Sequence, residues 1–139
     1  ENRKYFRWKV RISQEKFCDF FSNNISAKVS FIKNINILNR GESGRINHLN
    51  LEYQTDGGSI KSLQLDTEYD IRKTLHPSFL FSSAFILKLD KHYIEFIGAG
   101  WGHGVGLCQI GALGMALNGY SSKEILYHYF QNSTLKKMY

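Results

Sequence analysis

Long apolar runs are missing from this sequence. No stretch approaches the roughly 18 consecutive apolar residues that a membrane-spanning helix needs. A secretory signal peptide is not recognisable either, and the first residue is Glu1 rather than methionine. We therefore predict a chain without a transmembrane segment that is part of a longer protein, with any targeting segment in the missing part.

Proline and cysteine are both scarce. The single proline, Pro77, argues against Pro-rich linkers in the architecture. The two cysteines, Cys18 and Cys108, match no zinc-finger spacing. They could form a disulfide in an oxidising compartment if their Cα atoms lie within bridging distance. The interpretation that we prefer is two free, mostly buried thiols.

Charge of one sign is in excess, but it is not concentrated. The 139 residues carry a net charge of +6, and 42% of them are hydrophobic, which fits one globular domain over 1–139. A basic surface suits nucleic acid, anionic lipid or an acidic cell-wall polymer. The charge could also serve solubility alone, because Lys and Arg are scattered and form no long run.

Alternation of apolar and basic residues marks the first strand. In Tyr5–Ile12 the apolar side chains Phe6, Trp8, Val10 and Ile12 fall on one face. Similar patterns predict further strands at 29–39, 46–54, 59–65, 79–88, 92–97 and 134–138. Hairpins are predicted at Asp56-Gly57-Gly58 and at Leu89-Asp90-Lys91.

Capping residues and apolar periodicity predict the helices. Ser13 caps a helix over 14–22 that Asn23-Asn24 ends, and Asp66 or Thr67 caps a short helix through Leu75. Two more helices are predicted at 107–118 and 121–130, the second with a Ser121/Glu124 capping box. The fold class is therefore α+β, with antiparallel hairpins and three or four helices packed around the sheet.

The segment Gly98–Gly106 has glycine at five of nine positions, with Trp101 and His103 each flanked by glycine on both sides. Glycine costs chain entropy, so it is retained where backbone needs positive φ or close approach. Four interpretations compete. A phosphate loop lacks the Gly-Lys-Ser/Thr sequence. A zinc site would use His103 and Cys108 with Cys18 or His128, without recognised spacing. A sugar cleft would use Trp101, His103 and Gln109. A buried strand-to-helix connection would need no function.

The helix after the loop has a small apolar face made of Ala112, Met115, Ala116 and Leu117. Gly111 and Gly114 would allow a neighbouring element to approach closely. This pattern predicts a helix wedged in the core that holds the glycine-rich strand-to-helix loop rigid at the edge of a cleft.

The run Gly98-Ala-Gly-Trp-Gly-His-Gly-Val-Gly-Leu-Cys-Gln-Ile-Gly-Ala112 resembles the closing signature of the stage II sporulation protein D (SpoIID)/LytB domain family. Gly114-Met-Ala, Gly119-Tyr, Glu124-Ile-Leu and His128-Tyr-Phe130 continue it. Earlier segments are similar to the family's later blocks in the same order: Phe6-Arg-Trp8, Arg40–Arg45, Asp70-Ile-Arg72 and Leu80–Phe85. The resemblance covers the C-terminal portion of such a domain.

The resemblance implies a lytic transglycosylase that acts on peptide-stripped peptidoglycan strands. Such an enzyme cleaves between N-acetylmuramic acid and N-acetylglucosamine and leaves a 1,6-anhydro end, with one carboxyl group as acid and then base. The family's catalytic glutamate lies in a helical block upstream, which this sequence lacks. We therefore assign no catalytic residue; Glu95 and Glu124 are weak substitutes. The chain alone is expected to be inactive.

The candidate substrate-binding residues are Trp101, His103, Gln109, Ser82, Ser83, Arg45 and Arg72. Trp101 would stack on a sugar, His103 would bond the glycan or the missing acid, and Gln109 would bond an acetamido group. Alternation places one of Ser82 and Ser83 on each face of a strand, so one of them could line the cleft. Arg45 and Arg72 could bind the muramoyl carboxylate or form surface ion pairs.

The alternative function is a non-catalytic module that anchors to wall glycan or activates a cell-wall amidase. In either case the expected partner is peptidoglycan, with no nucleic acid, and the expected location is outside the cytoplasm, in the cell wall, the periplasm or on a membrane anchor. No cofactor is expected, with zinc as the remaining alternative.

Overall fold

The computed structural model describes residues 6–137. The chain divides into two compact units, Glu1–His103 and Gly104–Tyr139. The described residues form two three-stranded antiparallel sheets and four helices, so the predicted α+β class is confirmed. Within this part of the chain no helix is both long enough and apolar enough to cross a membrane.

The described residues of the first unit form six strands and two of the helices. In chain order they are β1 (Arg7–Ser13), α1 (Gln14–Ile25), β2 (Val29–Arg40), β3 (Ile46–Thr55), β4 (Ile60–Leu65), α2 (Glu68–Thr74), β5 (Phe85–Leu89) and β6 (Tyr93–Ala99).

One sheet has the strand order β1-β6-β5, with β1 at an edge. β1 pairs with β6 from Arg7 opposite Ala99 to Ser13 opposite Tyr93. The alternation in β1 buries Trp8 on the inner face as predicted, and Phe96 of β6 is buried as well. Phe6 precedes the strand and is exposed, so it does not share the buried face, and Tyr5 lies outside the described residues.

The other sheet has the order β2-β3-β4, and its inner face is aliphatic. Ile32 and Ile35 of β2 and Leu49 and Leu51 of β3 are buried there. The predicted Asp56-Gly57-Gly58 turn closes the β3–β4 hairpin, and Gly58 has a positive φ of 80°. Each large side chain buried in this way stabilises the fold by about 1.5–3 kcal/mol, which makes these sheets the stable frame of the unit.

Helix α1 packs on β2 and β1 through Phe17 and Phe21. Ser13 caps it as predicted, since its hydroxyl accepts a hydrogen bond from the Lys16 N–H. The predicted end at Asn23-Asn24 is wrong, because the helix continues to Ile25. It ends where Ser26 adopts a left-handed backbone with φ of 51°, and the Ser26 N–H bonds the Ser22 carbonyl.

The predicted strand over 79–88 is also wrong in its first half, since β5 begins only at Phe85. The backbone before it is engaged elsewhere. The Leu80 N–H donates to the Arg72 carbonyl, and the Ser83 carbonyl accepts from the Ile46 N–H. These hydrogen bonds connect residues 79–84 to α2 and to the start of β3, so this segment is not paired as a strand.

The second unit contains α3 (Gln109–Leu117) and α4 (Ser122–Tyr129). Ser121 and Glu124 form the predicted capping box of α4. Gly111 allows the predicted close approach, since a Cβ there would overlap the Tyr129 hydroxyl, whereas Gly114 faces open space.

The prediction that helix α3 lies in a core is not confirmed within the second unit. None of the residues of α3 is buried, and Leu117 is 80% exposed. The predicted strand at 134–138 is also wrong as far as Lys137, because 134–137 have no regular structure; Met138 lies outside the described residues.

Candidate functional site

The glycine-rich segment leaves the end of β6 as an irregular loop in which alternate glycines adopt a left-handed backbone. Gly100 and Gly102 have φ of 74° and 89°. A side chain at either position would strain the backbone, since L-residues rarely adopt these angles. The loop therefore depends on glycine at these positions, and Trp101 is presented between them.

Hydrogen bonds from three parts of the unit fix this loop. The Gly100 N–H donates to the Phe6 carbonyl (3.3 Å), and the Gly102 N–H donates to the Phe81 carbonyl (2.7 Å). The Trp8 indole N–H donates to the Gly100 carbonyl (3.0 Å). Hydrogen bonds therefore hold the backbone on both sides of Trp101. The backbone fixes the position of this residue without burial of its side chain.

The Trp101 side chain is 60% exposed and is supported from behind by another aromatic ring. Phe81 meets it edge to face, with 6.1 Å between ring centroids. Phe81 in turn meets the buried Trp8 at 5.6 Å. These three rings run from the core to the surface, which is the arrangement expected of a rigid contact residue.

Phe81 is a site residue that sequence reasoning missed. It occurs in the segment 79–84, whose composition is typical of a strand, so its contact with Trp101 has no local signal. Its position becomes evident only when the hydrogen bond between Gly102 and Phe81 is known.

Two other sequence-predicted residues lie at the loop. His103 is exposed at its end. Arg45 is half-buried, and its Nε–H donates to the Gly102 carbonyl at 3.3 Å. Ion pairs found among residues 6–137 do not include Arg45, so the surface ion pair considered for it is not what the structure contains. The first unit thus brings Trp101, His103 and Arg45 to one loop.

Ser82 and Ser83 are both fully buried, so the expectation that one of them lines the cleft is wrong. The alternation argument fails because neither lies on a strand. The Ser82 hydroxyl donates to the Ala99 carbonyl (2.7 Å) at the base of the loop and accepts from the Ala84 N–H. Ser82 therefore positions the loop. The Ser83 hydroxyl has no hydrogen-bond partner among the described residues.

Arg72 is buried too, and it is part of the frame. Its Nε–H donates to the Leu80 carbonyl (2.8 Å), and its guanidinium pairs with Glu68 (3.2 Å) and lies over the Phe79 ring. The ion pair considered for it exists, but inside the protein rather than on the surface. In this position Arg72 is not presented to a ligand.

Gln109 is the first residue of α3 and is exposed in the second unit. Its place in the same cleft as Trp101 stays a prediction. Cys108 is the N-cap of α3 and is exposed, so the expectation that it is buried is wrong. Cys18 is buried as expected, and both thiols are free. Burial raises the pKa of the Cys18 thiol to about 11, so it stays protonated at neutral pH.

The two carboxyl groups considered as substitutes for the catalytic acid have the wrong environment. Lys9 lies 2.9 Å from Glu95 and lowers its pKa. The Ser121 hydroxyl and N–H bond Glu124 and lower its pKa as well. A general acid needs a raised pKa to be protonated near neutrality, so neither residue suits that role.

A possible metal site was the remaining alternative. Over residues 6–137 no three His, Cys, Asp or Glu side chains converge as they would around a metal ion. Structural zinc is almost always held by four ligands. The zinc alternative therefore gains no support from the geometry of the described residues.

The first unit is an α+β domain that presents a tryptophan on a fixed glycine loop. The chain belongs to the family described as Domain of unknown function (DUF8618), whose model matches residues 1–106. That match ends close to the boundary between the two units at His103. An uncharacterized protein of Brachyspira hyodysenteriae (strain ATCC 49526 / WA1) is 40% identical over 77 residues, which are 52% of this chain and 21% of that protein. The chain thus spans about a fifth of the relative's length, and neither match names a substrate.

Proposed function

We propose that this chain is the glycan-binding part of a peptidoglycan-acting lytic transglycosylase of the SpoIID/LytB kind, with its catalytic carboxyl group outside these 139 residues. The proposal starts from the sequence signature around Gly98–Ala112. The observation that carries it furthest is the exposed Trp101 indole on a loop whose backbone is held on both sides.

An exposed tryptophan on a fixed loop suits a sugar ring, because the indole face packs on the apolar face of a pyranose. Phe81 supports the indole edge on, so Trp101 loses little freedom when a sugar binds. His103 follows at the end of the same loop and can hydrogen-bond hydroxyl groups.

Arg45 adds a charge next to the indole. A guanidinium has five N–H donors, and Arg45 uses one of them on the Gly102 carbonyl. Its remaining donors suit a carboxylate, which arginine binds with paired hydrogen bonds. Among the sugars of the wall, N-acetylmuramic acid carries a carboxylate, so this loop favours a strand containing that sugar.

Cleavage needs a carboxyl group that stays protonated until it reaches the leaving oxygen. Glu95 and Glu124 are held as carboxylates by their partners, as their lowered pKa values indicate. This supports an acid supplied by another part of the longer protein, and binding without cleavage by this chain alone.

The exposed Trp101 indole on its fixed loop also favours a second candidate function. A wall-anchoring or amidase-activating module would also bind glycan without cleaving it. In that case the longer protein would contain no catalytic carboxyl group. Both candidates act outside the cytoplasm on peptidoglycan strands. They differ in whether the longer protein produces 1,6-anhydro ends, which an assay of that protein would decide.

The test is to titrate the purified chain with peptide-free glycan strands by calorimetry and to assay the same samples for anhydro-muramoyl ends. We expect saturable binding and no new ends. Trp101→Ala should weaken binding about tenfold, or about 1.4 kcal/mol. Tyr69→Ala is the matched control, since Tyr69 is an aromatic residue of similar exposure at 58%, and it should bind like the parent.

Two outcomes would contradict the proposal. Absence of binding, or equal weakening by Tyr69→Ala, would remove the glycan-binding role of the loop. New anhydro ends would place the catalytic carboxyl group inside these 139 residues. The proposal that another part of the protein supplies it would then be wrong.

A further inference from the structure

The outer face of the β1-β6-β5 sheet is strongly charged. Since side chains alternate along a strand, the residues on this face are the ones that flank buried Trp8, Phe96 and Phe85. Cross-strand pairing places them in rows: Arg7 with Ala99; Lys9 with Ile97 and Ile86; Arg11 with Glu95 and Lys88.

Cations dominate these rows. Arg7, Lys9, Arg11 and Lys88 face solvent together, and two acidic residues lie beside them, Glu95 on β6 and Asp90 next to Arg11 and Lys88. Glu95 lies 2.9 Å from Lys9 and 4.0 Å from Arg11, yet the side chains of Lys9 and Arg11 stay 61% and 55% exposed. The face therefore keeps a positive excess that an anion can reach.

The outer face of the other sheet is different in kind. Its rows consist mainly of neutral amides and hydroxyls, namely Asn36, Asn50 and Gln64 in one row and Asn34, Glu52 and Ser62 in the next. The other sheet also carries exposed Lys33 and Lys61, but cross-strand pairing does not place these two lysines in one row.

Three of the four cations are arranged in a line, whereas Lys88 lies two strands away on β5. Arg7, Lys9 and Arg11 alternate along the edge strand β1, where residues i and i+2 are about 6.6 Å apart. A flat membrane surface would not select such a line. A linear polyanion would, provided that its charges recur at a similar distance.

Two aromatic side chains border the line, and each is already covered by a guanidinium. Arg7 lies over the Phe6 ring at 4.4 Å, and Arg11 lies over the Tyr93 ring at 3.7 Å. These contacts hold the two cations in place. Each guanidinium also covers one face of its ring, on which a nucleic-acid base could otherwise stack, and this favours a polymer that has no bases.

We propose that the outer face of the β1-β6-β5 sheet binds a linear phosphodiester polymer without bases, with Arg7, Lys9 and Arg11 contacting successive phosphates. Successive phosphorus atoms of poly(glycerol phosphate) are separated by as many backbone bonds as residues i and i+2 of a strand. The two repeats therefore match in length. This surface involves none of the residues proposed to contact glycan.

The test uses a poly(glycerol phosphate) oligomer as the ligand, with calorimetry at several salt concentrations. Three or four phosphate contacts should make the logarithm of the binding constant fall with the logarithm of salt concentration with a slope of about −2 to −3. Paired substitution Lys9→Gln with Arg11→Gln removes two of the proposed phosphate contacts, so it should weaken binding about tenfold and make the slope shallower by about 1.5 units.

Charge-matched controls separate a site from a general charge effect. Lys33→Gln with Lys61→Gln removes the same two charges from exposed positions on the other sheet, and it should change binding less than about twofold. Glu95→Gln should strengthen binding, because it removes the acidic group that pairs with Lys9 and Arg11. Trp101→Ala should leave it unchanged.

Three results would overturn the proposal. Equal weakening by the two double substitutions would reduce the effect to net charge. Equal or tighter binding of single-stranded DNA would mean that bases are accommodated, and tight binding of phosphatidylglycerol vesicles with little poly(glycerol phosphate) binding would point to a membrane surface. Circular dichroism of each variant verifies that the fold is retained.

Discussion

The two tryptophans of this chain occupy opposite environments at the glycine-rich loop: Trp8 is buried beneath the loop, and Trp101 is exposed on it. Trp8 is 6% exposed and Trp101 is 60% exposed, and the Phe81 ring meets both. Trp8 supports the loop from below through its bond to Gly100, whereas Trp101 projects from the top of the same loop. The difference separates the residue that builds the site from the residue that is presented to a ligand. Substitution beneath the loop should cost stability, and substitution at its tip should cost binding.

The largest effect is expected at Trp8. Trp8→Ala would open a cavity among Phe81, Phe85 and Gly98 and would remove the hydrogen bond to the loop. We expect it to lower the free energy of unfolding by about 3–5 kcal/mol. Urea unfolding followed by circular dichroism measures this value; a loss below about 1 kcal/mol would mean that Trp8 is not part of the support.

The next effect is expected at Gly98, which lies against the Trp8 ring. A Cβ at this position would overlap the indole, so the ring or the strand would have to move. Gly98→Ala should lower the free energy of unfolding by about 1–3 kcal/mol. Gly41→Ala is the control, because a Cβ there meets nothing within 4 Å. If the two variants had equal stability, the close packing of Gly98 on Trp8 would be disproved.

A smaller effect is expected at Ser82, whose hydroxyl bonds the Ala99 carbonyl beneath the loop. Ser82→Ala should cost about 1 kcal/mol, the usual contribution of one hydrogen bond, and somewhat more if the buried carbonyl is left unsatisfied. Ser83→Ala is the matched control, because its buried hydroxyl has no partner among the described residues. Thermal unfolding should rank Ser82→Ala below Ser83→Ala, and the reverse order would contradict the assignment.

The smallest effect on stability is expected at Trp101 itself. Trp101→Ala removes an exposed side chain whose loop is held by backbone bonds, so the free energy of unfolding should change by less than about 0.5–1 kcal/mol. Chemical unfolding beside the Trp8→Ala variant checks this. A loss as large as that of Trp8→Ala would make Trp101 a structural residue and would erase the contrast between the two.

Much of the frame could be predicted from sequence because its signals are local. The alternation around Trp8, the Asp56-Gly57-Gly58 turn, and the caps Ser13 and Ser121 each depend on neighbours within a few residues. In the same way the glycine spacing predicted a loop that needs positive φ or close approach of its backbone, and the positive φ is found. The spacing indicated both Trp101 and His103 as side chains that the loop could present.

The rest depends on contacts between distant residues. Residues 79–84 have strand-like composition, but their hydrogen bonds go to α2 and to the start of β3. Arg72 resembles a surface cation until its bonds to Leu80 and Glu68 are seen. The apolar pattern of α3 indicates an apolar face but not whether anything covers it. The glycan interpretation comes from a resemblance rather than from the packing, and it stays a prediction.

The glycan-binding role of Trp101 is tested most directly by labelling both tryptophans with 5-fluorotryptophan and following their ¹⁹F resonances during titration with peptide-free glycan strands. The Trp101→Phe variant lacks one of the two resonances, and this assigns both of them. We predict that the Trp101 resonance shifts or broadens saturably while the Trp8 resonance stays in place. If neither resonance responds, or if Trp8 alone does, Trp101 is not the glycan contact and the proposed function of the loop is wrong.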